Sequence, residues 1–356
     1  GAIHQDLHEG ELHPYFIDPF KNKSLPSPVN PLSWGHRRSV KPNLLMPGGR
    51  VVYRNRAMLD DDPVVLTLIN NLEPPGQKVA TPQVNAGQSS VSGLAYTVGT
   101  SNAAALATRE LELLRCHHEL FISEAGFDTK YEAVILKALL SHGGQFGGEA
   151  STIQAALLDG KKKIPKHTLA KYLGYGEVNN SRIYTCKMNQ ATAVHCGDMT
   201  LNGAITYKLP LPVSLSKKQI YKRLIITLAW LTPINASSDT TYRGASIKFD
   251  YKSSKEKMGL NNLIYDNHMI AAGTVAHGVF EGKEIANFIE GDNLEINLEC
   301  KGSNTVKDQN IPYALIVSID TPGSETLNIY QEVRDELEEI HEIDKVDDKV
   351  KSPVLV

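Results

Sequence analysis

The spacing of hydrophobic positions in this chain changes about half-way along its length. Over residues 102–123, and again over 129–141, apolar residues recur every three or four positions, which predicts amphipathic helices. Beyond residue 186 the apolar residues alternate or form short β-branched runs between turn residues, which predicts many short strands and an antiparallel sandwich. These predicted strands cover residues 204–209, 223–230, 244–251, 273–280, 294–300 and 313–320.

This change of pattern predicts three regions along the chain. Residues 1–186 form an α/β domain, and residues 187–324 form an all-β antiparallel sandwich. Residues 325–356 supply an acidic helix over about 327–343, followed by a disordered tail from residue 344. The predicted helix has one apolar stripe, which consists of Ile329, Val333, Leu337 and Ile340.

The first 31 residues contain a group of side chains that could suggest a metal site. The group comprises His4, His8, His13, Asp6 and Glu9. Its spacing is irregular and no second ligand block follows at a typical distance, so a solvated polar loop is favoured over a metal centre. The same interpretation applies to the charged turn at His36, Arg37 and Arg38. No metal and no cofactor are expected.

Several other clusters favour a structural role over a chemical one. The acidic turn at 60–62 lacks the alternating oxygen ligands of a calcium loop, and the glycine-rich run at 144–148 lacks the Lys-Ser/Thr ending of a phosphate loop. His117 and His118 are adjacent on a predicted helix and therefore point to different faces. The lysines at 161–163 are expected in a solvated turn, and 144–148 in a flexible connector.

Composition and charge narrow the function classes. The 356 residues are 41% hydrophobic and 22% charged with a net charge of −3, which offers no electrostatic footprint for nucleic acid or an anionic membrane. No apolar run is long enough to span a bilayer. The four cysteines match no zinc spacing and favour buried free thiols in a reducing, cytoplasmic setting, with a Cys186–Cys196 disulfide as the alternative.

The segment with the most chemical content surrounds Ser101. An extended, turn-prone stretch ends at Val98-Gly99-Thr100-Ser101, and a strong helix former follows. Ser101 suits two roles at such a corner. It could be an N-cap, or it could be a nucleophile beside which the oxyanion of the attacked carbonyl meets the free amides and the positive end of the helix. In the second role Gly99, Thr100 and the Ser101 amide line the substrate and oxyanion position.

Three sequence blocks carry a family resemblance, and it covers roughly the first half of the chain. Gly99-Thr100-Ser101-Asn102-Ala103-Ala104 resembles the block around the nucleophile of subtilisin-like serine peptidases (subtilases). Lys41-Pro42-Asn43-Leu44-Leu45-Met46-Pro47-Gly48 is similar to a block that precedes that nucleophile, and Gly174-Tyr175-Gly176-Glu177-Val178-Asn179 to one that closes the catalytic domain. The run 224–230 resembles a strand of the jelly-roll domains that follow many subtilase domains. Asn102 and Ala105 depart from the family's usual Met and Pro.

The resemblance implies a fold and an activity. Residues 1–186 would be the C-terminal part of a parallel-sheet catalytic domain, with Ser101 as the acyl-forming nucleophile. The family's aspartate, histidine and oxyanion-hole asparagine blocks have no counterpart before Ser101, and Gly1-Ala2-Ile3-His4 is similar to a strand that follows that asparagine. The expected partners are therefore a polypeptide substrate and the N-terminal part of the same protease, without which this chain is expected to be inactive.

Three functional hypotheses remain open from the sequence. The first is a cytoplasmic subtilase-type serine endopeptidase, of which this chain is a fragment that carries Ser101. The second is a non-catalytic binding or scaffold module that acts through the β-sandwich. The third is a different serine hydrolase that acts on esters or amides.

Overall fold

A computed structural model describes most of the chain. The described residues are 1–8, 10–21, 23–32, 35–55, 66–68, 74–85, 88–124, 127–158, 166–184, 186–250, 256–264, 267–303, 306, 309–343 and 354–355. The predicted acidic turn at 60–62 and lysine turn at 161–163 lie outside these residues, as does most of the predicted tail. The described part mixes helices with mostly antiparallel sheets.

The chain divides into two compact units that are each discontinuous in sequence. Unit 1 consists of residues 1–33, 41–110 and 145–178, and unit 2 of residues 34–40, 111–144 and 179–356. The predicted domain boundaries at 186 and 324 stay predictions.

The helices and strands have the following bounds. The α-helices are α1 Thr100–Glu124, α2 Glu132–His142, α3 Gly148–Leu158, α4 Lys166–Leu173, α5 Ser181–Tyr184, α6 Asn267–Ala272 and α7 Ile329–Ile343. The strands up to residue 178 are β1 Ala2–Ile3, β2 Phe16–Ile17, β3 Met46–Pro47, β4 Tyr53–Asn55, β5 Leu66–Leu68, β6 Gln77–Asn85, β7 Gln88–Thr97, β8 Gly144–Gln145 and β9 Glu177–Val178. The later strands are β10 Gln190–Thr200, β11 Ala204–Pro210, β12 Lys222–Trp230, β13 Ala245–Asp250, β14 Asn262–Ile264, β15 Val275–Gly282, β16 Asn293–Gly302, β17 Asn310–Asp320 and β18 Val354–Leu355.

Parallel pairing in the described part of unit 1 is short. Strand β1 runs parallel to β3, with Ala2 opposite Met46, and one parallel bridge joins Leu45 to Glu177. The other described ladders of this unit are antiparallel: the β2–β4–β5 sheet and the long β6–β7 hairpin. The hairpin leads directly into α1, which confirms the helix predicted over 102–123.

The prediction of a solvated loop is wrong for His4 and Asp6. His4 is only 1% exposed, its Nε2 donates to Asp18 Oδ1 at 2.9 Å, and its Nδ1 accepts from the Val51 amide at 3.1 Å. The Asp6 carboxylate accepts from Arg50 Nε at 3.1 Å and from three backbone amides, those of His8, Arg50 and Gly76. These buried polar groups are stable because each is paired and hydrogen-bonded, which is what burial of a charge requires.

Unit 2 contains two antiparallel sheets that share one hydrophobic core. The larger sheet has the strand order β14-β15-β12-β17-β10-β18, and the smaller has the order β11-β16-β13. This core includes residues of the large sheet, the small sheet and α7, among them Leu228, Leu315, Ile247, Leu298 and Val333. All six strands predicted beyond residue 186 are present, whereas β10 lies in a stretch for which the sequence predicted no strand.

The central strands of the large sheet are buried on both faces. In β12, Ile226 and Leu228 belong to the core shared with the small sheet, whereas Thr227 between them bonds to His142 of α2. Because both faces are covered, β12 is a nearly continuous apolar run rather than an alternating one. The polar residues that interrupt such runs therefore face a packed helix, not solvent.

Two further predictions about the ends of elements need correction. The flexible connector predicted at 144–148 is wrong, because Gly144–Gln145 is a strand and Gly148 begins α3. The disordered tail predicted from residue 344 is wrong at its end, because Val354–Leu355 pairs with Ala193 and Val194 of β10. The helix predicted before the tail is confirmed as α7, whose Ile329, Val333 and Leu337 are buried.

Candidate functional site

Ser101 lies in the first turn of α1, next to the end of the β6–β7 hairpin. The helix begins at Thr100, so the predicted N-cap role of Ser101 is wrong. The Asn102 amide donates to the Gly99 carbonyl at 3.2 Å, which places the cap at Gly99. The Ser101 side chain is exposed, and no described residue forms a hydrogen bond with its hydroxyl.

The corner that carries Ser101 is fixed by Asn102 and Gly48. Asn102 Nδ2 donates to the Thr97 carbonyl at 3.0 Å and to the Gly48 carbonyl at 3.3 Å, while Thr97 Oγ1 donates to Asn102 Oδ1 at 3.1 Å. The Gly99 amide also donates to the Gly48 carbonyl, at 2.9 Å. Asn102 thus joins the strand end, the helix start and the turn after β3.

Small residues bring the backbones together beneath this corner. Ala103, on the buried side of the first turn, packs against Ala2 and Met46. A Cβ at Gly48 would lie 2.4 Å from Ala2 Cβ and 3.0 Å from the Gly99 carbonyl oxygen, so only glycine fits there. A Cβ at Gly99 would meet nothing nearer than the Ser101 amide nitrogen at 3.8 Å. Gly48 is therefore required by internal packing, whereas Gly99 leaves open space beside Ser101.

Some backbone amides at the corner donate to other backbone groups, and others have no described acceptor. The first amides of an α-helix have no partner within the helix. Of those at this corner, the Gly99 amide is taken by Gly48 and the Asn102 amide by Gly99, while the Thr100 and Ser101 amides have no acceptor among the described residues. Two amides of the first turn, one of them from Ser101 itself, are thus without a described acceptor at the positive end of α1, where negative charge is stabilised.

The candidate metal ligands predicted from the sequence do not assemble into a metal site. Within the described residues there is no group of three or more His, Cys, Asp or Glu side chains that could hold a metal ion. His117 is exposed, and its Nε2 donates to the Tyr184 carbonyl at 2.9 Å; the side chain of His118 lies outside the described residues. None of the four cysteines forms a disulfide, so the Cys186–Cys196 alternative is wrong.

Unit 2 contains a buried polar network that the sequence analysis missed. His142 at the end of α2 bonds through Nδ1 to Thr227 Oγ1 at 2.8 Å and through Nε2 to Ser318 Oγ at 2.7 Å. Thr227 Oγ1 lies 2.7 Å from His277 Nδ1, and Ser318 Oγ lies 2.6 Å from Thr192 Oγ1. In the sheet register Thr227 is directly opposite His277, and Ser318 is directly opposite Thr192.

The donors and acceptors of this network follow from its two ends. His277 Nε2 lies 3.0 Å from the Gly144 carbonyl, which can only accept, so this nitrogen carries the proton and Nδ1 accepts from Thr227. Thr227 then accepts from His142 Nδ1, which leaves His142 Nε2 to accept from Ser318. Ser318 in turn accepts from Thr192, and Gln190 Nε2 donates to Thr192 at 3.3 Å.

Both histidines of the network are neutral in this arrangement. Burial lowers the pKa of His277 to about 3, with the positive charge of Arg182 as a secondary cause. Burial also lowers the pKa of His142 well below its usual value, and the neighbouring His277 and the positive charges of Arg182 and Arg223 act in the same direction. The 2.7 Å distance between Ser318 Oγ and His142 Nε2 is that of a catalytic Ser–His pair. Both residues, however, are at most 1% exposed. A substrate carbonyl has no access to this serine in the folded state.

Comparison with known proteins does not identify the chain. No family model matches it, and no curated protein matches it significantly. No helix among the described residues combines the length and apolarity needed to cross a bilayer. Assignment of a function therefore depends on the Ser101 corner and on the sequence blocks that surround it.

Proposed function

We propose that this chain carries the nucleophilic part of a subtilisin-like serine endopeptidase, with Ser101 as the nucleophile. The observation that supports the proposal most directly is an exposed hydroxyl on a fixed first-turn corner, next to two amides without described acceptors. The proposal includes the finer fold assignment: part of a subtilase α/β domain followed by a jelly-roll-like sandwich. A cytoplasmic location belongs to it as well, since all four cysteines are outside disulfides.

The proposed reaction assigns a separate task to each part of the corner. Ser101 Oγ attacks the scissile carbonyl carbon and loses its proton to a base, and the carbonyl oxygen becomes an oxyanion. The Thr100 and Ser101 amides, which have no described acceptor, would donate to this oxyanion. The open space at Gly99 would admit the substrate backbone. The amine then leaves with a proton, and water hydrolyses the acyl-enzyme.

The base, the orienting carboxylate and the side-chain oxyanion donor are proposed to come from polypeptide outside the 356 residues. Among the described residues, no histidine or carboxylate contacts the Ser101 hydroxyl. A serine without a base is a weak nucleophile, so the chain by itself is expected to hydrolyse peptides very slowly or not at all.

The test is to label the full translation product of the encoding gene with a fluorophosphonate probe and to locate the adduct by mass spectrometry. We expect an adduct on Ser101, digestion of casein, and loss of both in Ser101→Ala, with activity reduced by roughly 1,000-fold or more. Ser318→Ala is the matched control and should keep both signals.

Two other outcomes separate the alternative functions. A folded product that shows no adduct on Ser101 would overturn the proposal and favour the binding or scaffold hypothesis. An adduct on Ser101 together with cleavage of small esters, but no digestion of casein or peptides, would favour a different serine hydrolase.

A further inference from the structure

Unit 2 contains a cleft that is separate from Ser101 and is lined by two arginines. Its volume is about 510 Å³, within the range of roughly 300–1,000 Å³ that is typical of small-molecule sites. Arg37 and Arg38 form one wall, Thr240, Thr241 and Tyr242 the second, and Ala271 and Ala272 at the end of α6 the third. This set, here called the arginine cleft, lies entirely within unit 2.

The arginines are held at the cleft by an unusual backbone. Arg37 and Arg38 have φ angles of 51° and 59°, so two successive non-glycine residues adopt the left-handed conformation. L-residues rarely do so, and such conformations persist where the surroundings impose them and are concentrated at functional sites. Arg37 NH1 donates to the Asn235 carbonyl at 2.7 Å, which anchors the turn, while Arg38 remains exposed. The prediction of a solvated turn therefore holds for Arg38 but not for Arg37.

The second wall is a braced loop that displays hydroxyl groups. A bridge between Ile234 and Arg243 closes the loop, and the Asn235 amide donates to the Tyr242 carbonyl at 2.8 Å. Ser238 Oγ accepts from the Thr240 amide at 3.3 Å and from the Thr241 amide at 3.0 Å. Ser238 thus braces the loop, and its Oγ also lies 3.5 Å from Thr240 Oγ1. Thr240 and Thr241 are both exposed and line the cleft.

The electrostatics of the cleft favour an anion. The end of a helix carries exposed carbonyls and partial negative charge, which would repel one. Here Arg243 donates to the carbonyls of Ile270, Ala271 and Gly273, so the end of α6 is neutralised by a cation that is not itself in the lining. Among the described residues, the lining has two guanidinium groups and no carboxylate.

We infer that the arginine cleft binds a small phosphate-bearing molecule of about nucleotide size. A guanidinium offers a planar fork of donors that suits phosphate oxygens, and hydroxyl groups supply the further donors that a phosphate with three or four acceptor oxygens requires. The Tyr242 ring and the methyl groups of Ala271 and Ala272 provide apolar surface for the rest of the ligand. This inference is independent of the proposed peptidase, because none of these residues belongs to the Ser101 corner.

The test is calorimetric titration of the 356-residue chain with AMP, pyrophosphate and inorganic phosphate at matched ionic strength. We expect one saturable site, with AMP or pyrophosphate bound more tightly than phosphate. Arg38→Gln should weaken binding at least 10-fold, because Arg38 is the unanchored guanidinium. Arg334→Gln removes an exposed arginine from α7 of the same unit and should leave binding unchanged.

A second variant covers the case in which Arg38→Gln perturbs the left-handed turn. Thr241→Val keeps the shape of the side chain and removes one hydroxyl donor, and it should weaken binding about three-fold with an unchanged circular dichroism spectrum. The inference is overturned if no ligand saturates the chain, or if both arginine variants lower the affinity equally. Equal binding of citrate or of a glutamate-rich peptide would also overturn it, since either result would indicate a general anion surface.

Discussion

The hydroxyl of Ser318 lies 2.7 Å from Nε2 of His142, at the packed interface between a strand and a helix of unit 2. The distance is that of an activated serine, yet both side chains are buried. Ser101 presents the opposite combination, an exposed hydroxyl with no described base. Ser318 thus has the geometry of a nucleophile without access, and Ser101 has access without that geometry. We therefore expect a Ser318 variant to change stability and a Ser101 variant to change reactivity.

Ser318→Ala is expected to destabilise the fold without affecting reactivity. Removal of this hydroxyl leaves His142 Nε2 without its donor and breaks the bond from Thr192, which should lower the free energy of unfolding by about 1–3 kcal/mol. Urea denaturation followed by fluorescence measures the change. The exposed Ser237→Ala is the control and should stay within about 0.5 kcal/mol of the parent. Equal stability of both variants would contradict the network.

The buried histidines predict that the fold loses stability as the pH falls below about 6.5. The pKa of His277 is lowered to about 3 in the folded state, against an ordinary value of 6.5, so between these values the unfolded chain binds a proton that the folded chain excludes. The pKa of His142 is lowered in the same direction, so two protons are involved. Each contributes a slope of about 1.4 kcal/mol per pH unit, and stability rises with pH through the window.

Variants isolate this contribution from that of the carboxylates and of His4, whose pKa is also lowered by burial. His277→Gln should reduce the slope of the unfolding free energy against pH by the contribution of about one proton between roughly pH 4.5 and 6. Urea denaturation at several pH values measures this slope. Thr227→Val, which removes the hydroxyl partner of both histidines and adds no titratable group, is the matched variant. If the His277 variant has the parent's slope, the histidine is not neutral in the folded protein.

Gly48 and Gly99 form a matched pair for the Ser101 corner. Gly48→Ala places a methyl group 2.4 Å from Ala2 Cβ and should cost about 1–3 kcal/mol of stability. Gly99→Ala has open space and should cost less than about 1 kcal/mol, yet it should lower peptidase activity of the full translation product because the methyl group occupies the proposed substrate path. Thermal unfolding and casein digestion measure the two effects. Full activity in Gly99→Ala would argue against substrate approach from this side.

Asp6 is expected to be essential to the stability of the fold formed by the first 55 residues of unit 1. Asp6→Asn removes the carboxylate charge that Arg50 Nε contacts at 3.1 Å and leaves Asp18, at 3.9 Å, as the described ion-pair partner of this buried guanidinium, which should cost about 3 kcal/mol. Asp128→Asn is the control, because the exposed Asp128 side chain accepts only from the Lys130 amide among backbone donors of the described residues, and it should cost less than about 1 kcal/mol. Hydrogen exchange of the Val51 and Gly76 amides should accelerate only in the Asp6 variant.

The periodic parts of the fold could be predicted from the sequence, whereas the polar contacts could not. Helix α1 and the strands of unit 2 follow from apolar spacing, because local pattern decides which face is buried. Strand β10 was missed because its run of small and polar residues, Ala191 to Gly197, is buried without a break and lacks alternation. His4 was misassigned because its partners, Asp18 and Val51, are distant in sequence.

The same limit applies to the candidate sites. Ser101 was predicted as a candidate from the sequence because a strand-to-helix corner and a family-like block coincide there, and its role as a nucleophile stays a prediction. The network around His142 joins residues up to 176 positions apart, and the only local signal was a hydroxyl within an otherwise apolar strand, as at Thr227 and Ser318. The arginine cleft depends on Arg37 and Asn235, which lie 198 positions apart. Such pairs become visible only in the folded structure.

The Gly144 carbonyl has a consequence that extends well beyond its own bond. Because this carbonyl can only accept, it fixes the donor and the acceptor of every hydrogen bond from His277 through to Thr192. The hydrogen-bond chain therefore has a single direction. No member can turn over by itself. A methyl group in place of any one hydroxyl therefore disturbs the neighbours on both sides, and evolution of this core would have to exchange its polar members in concert.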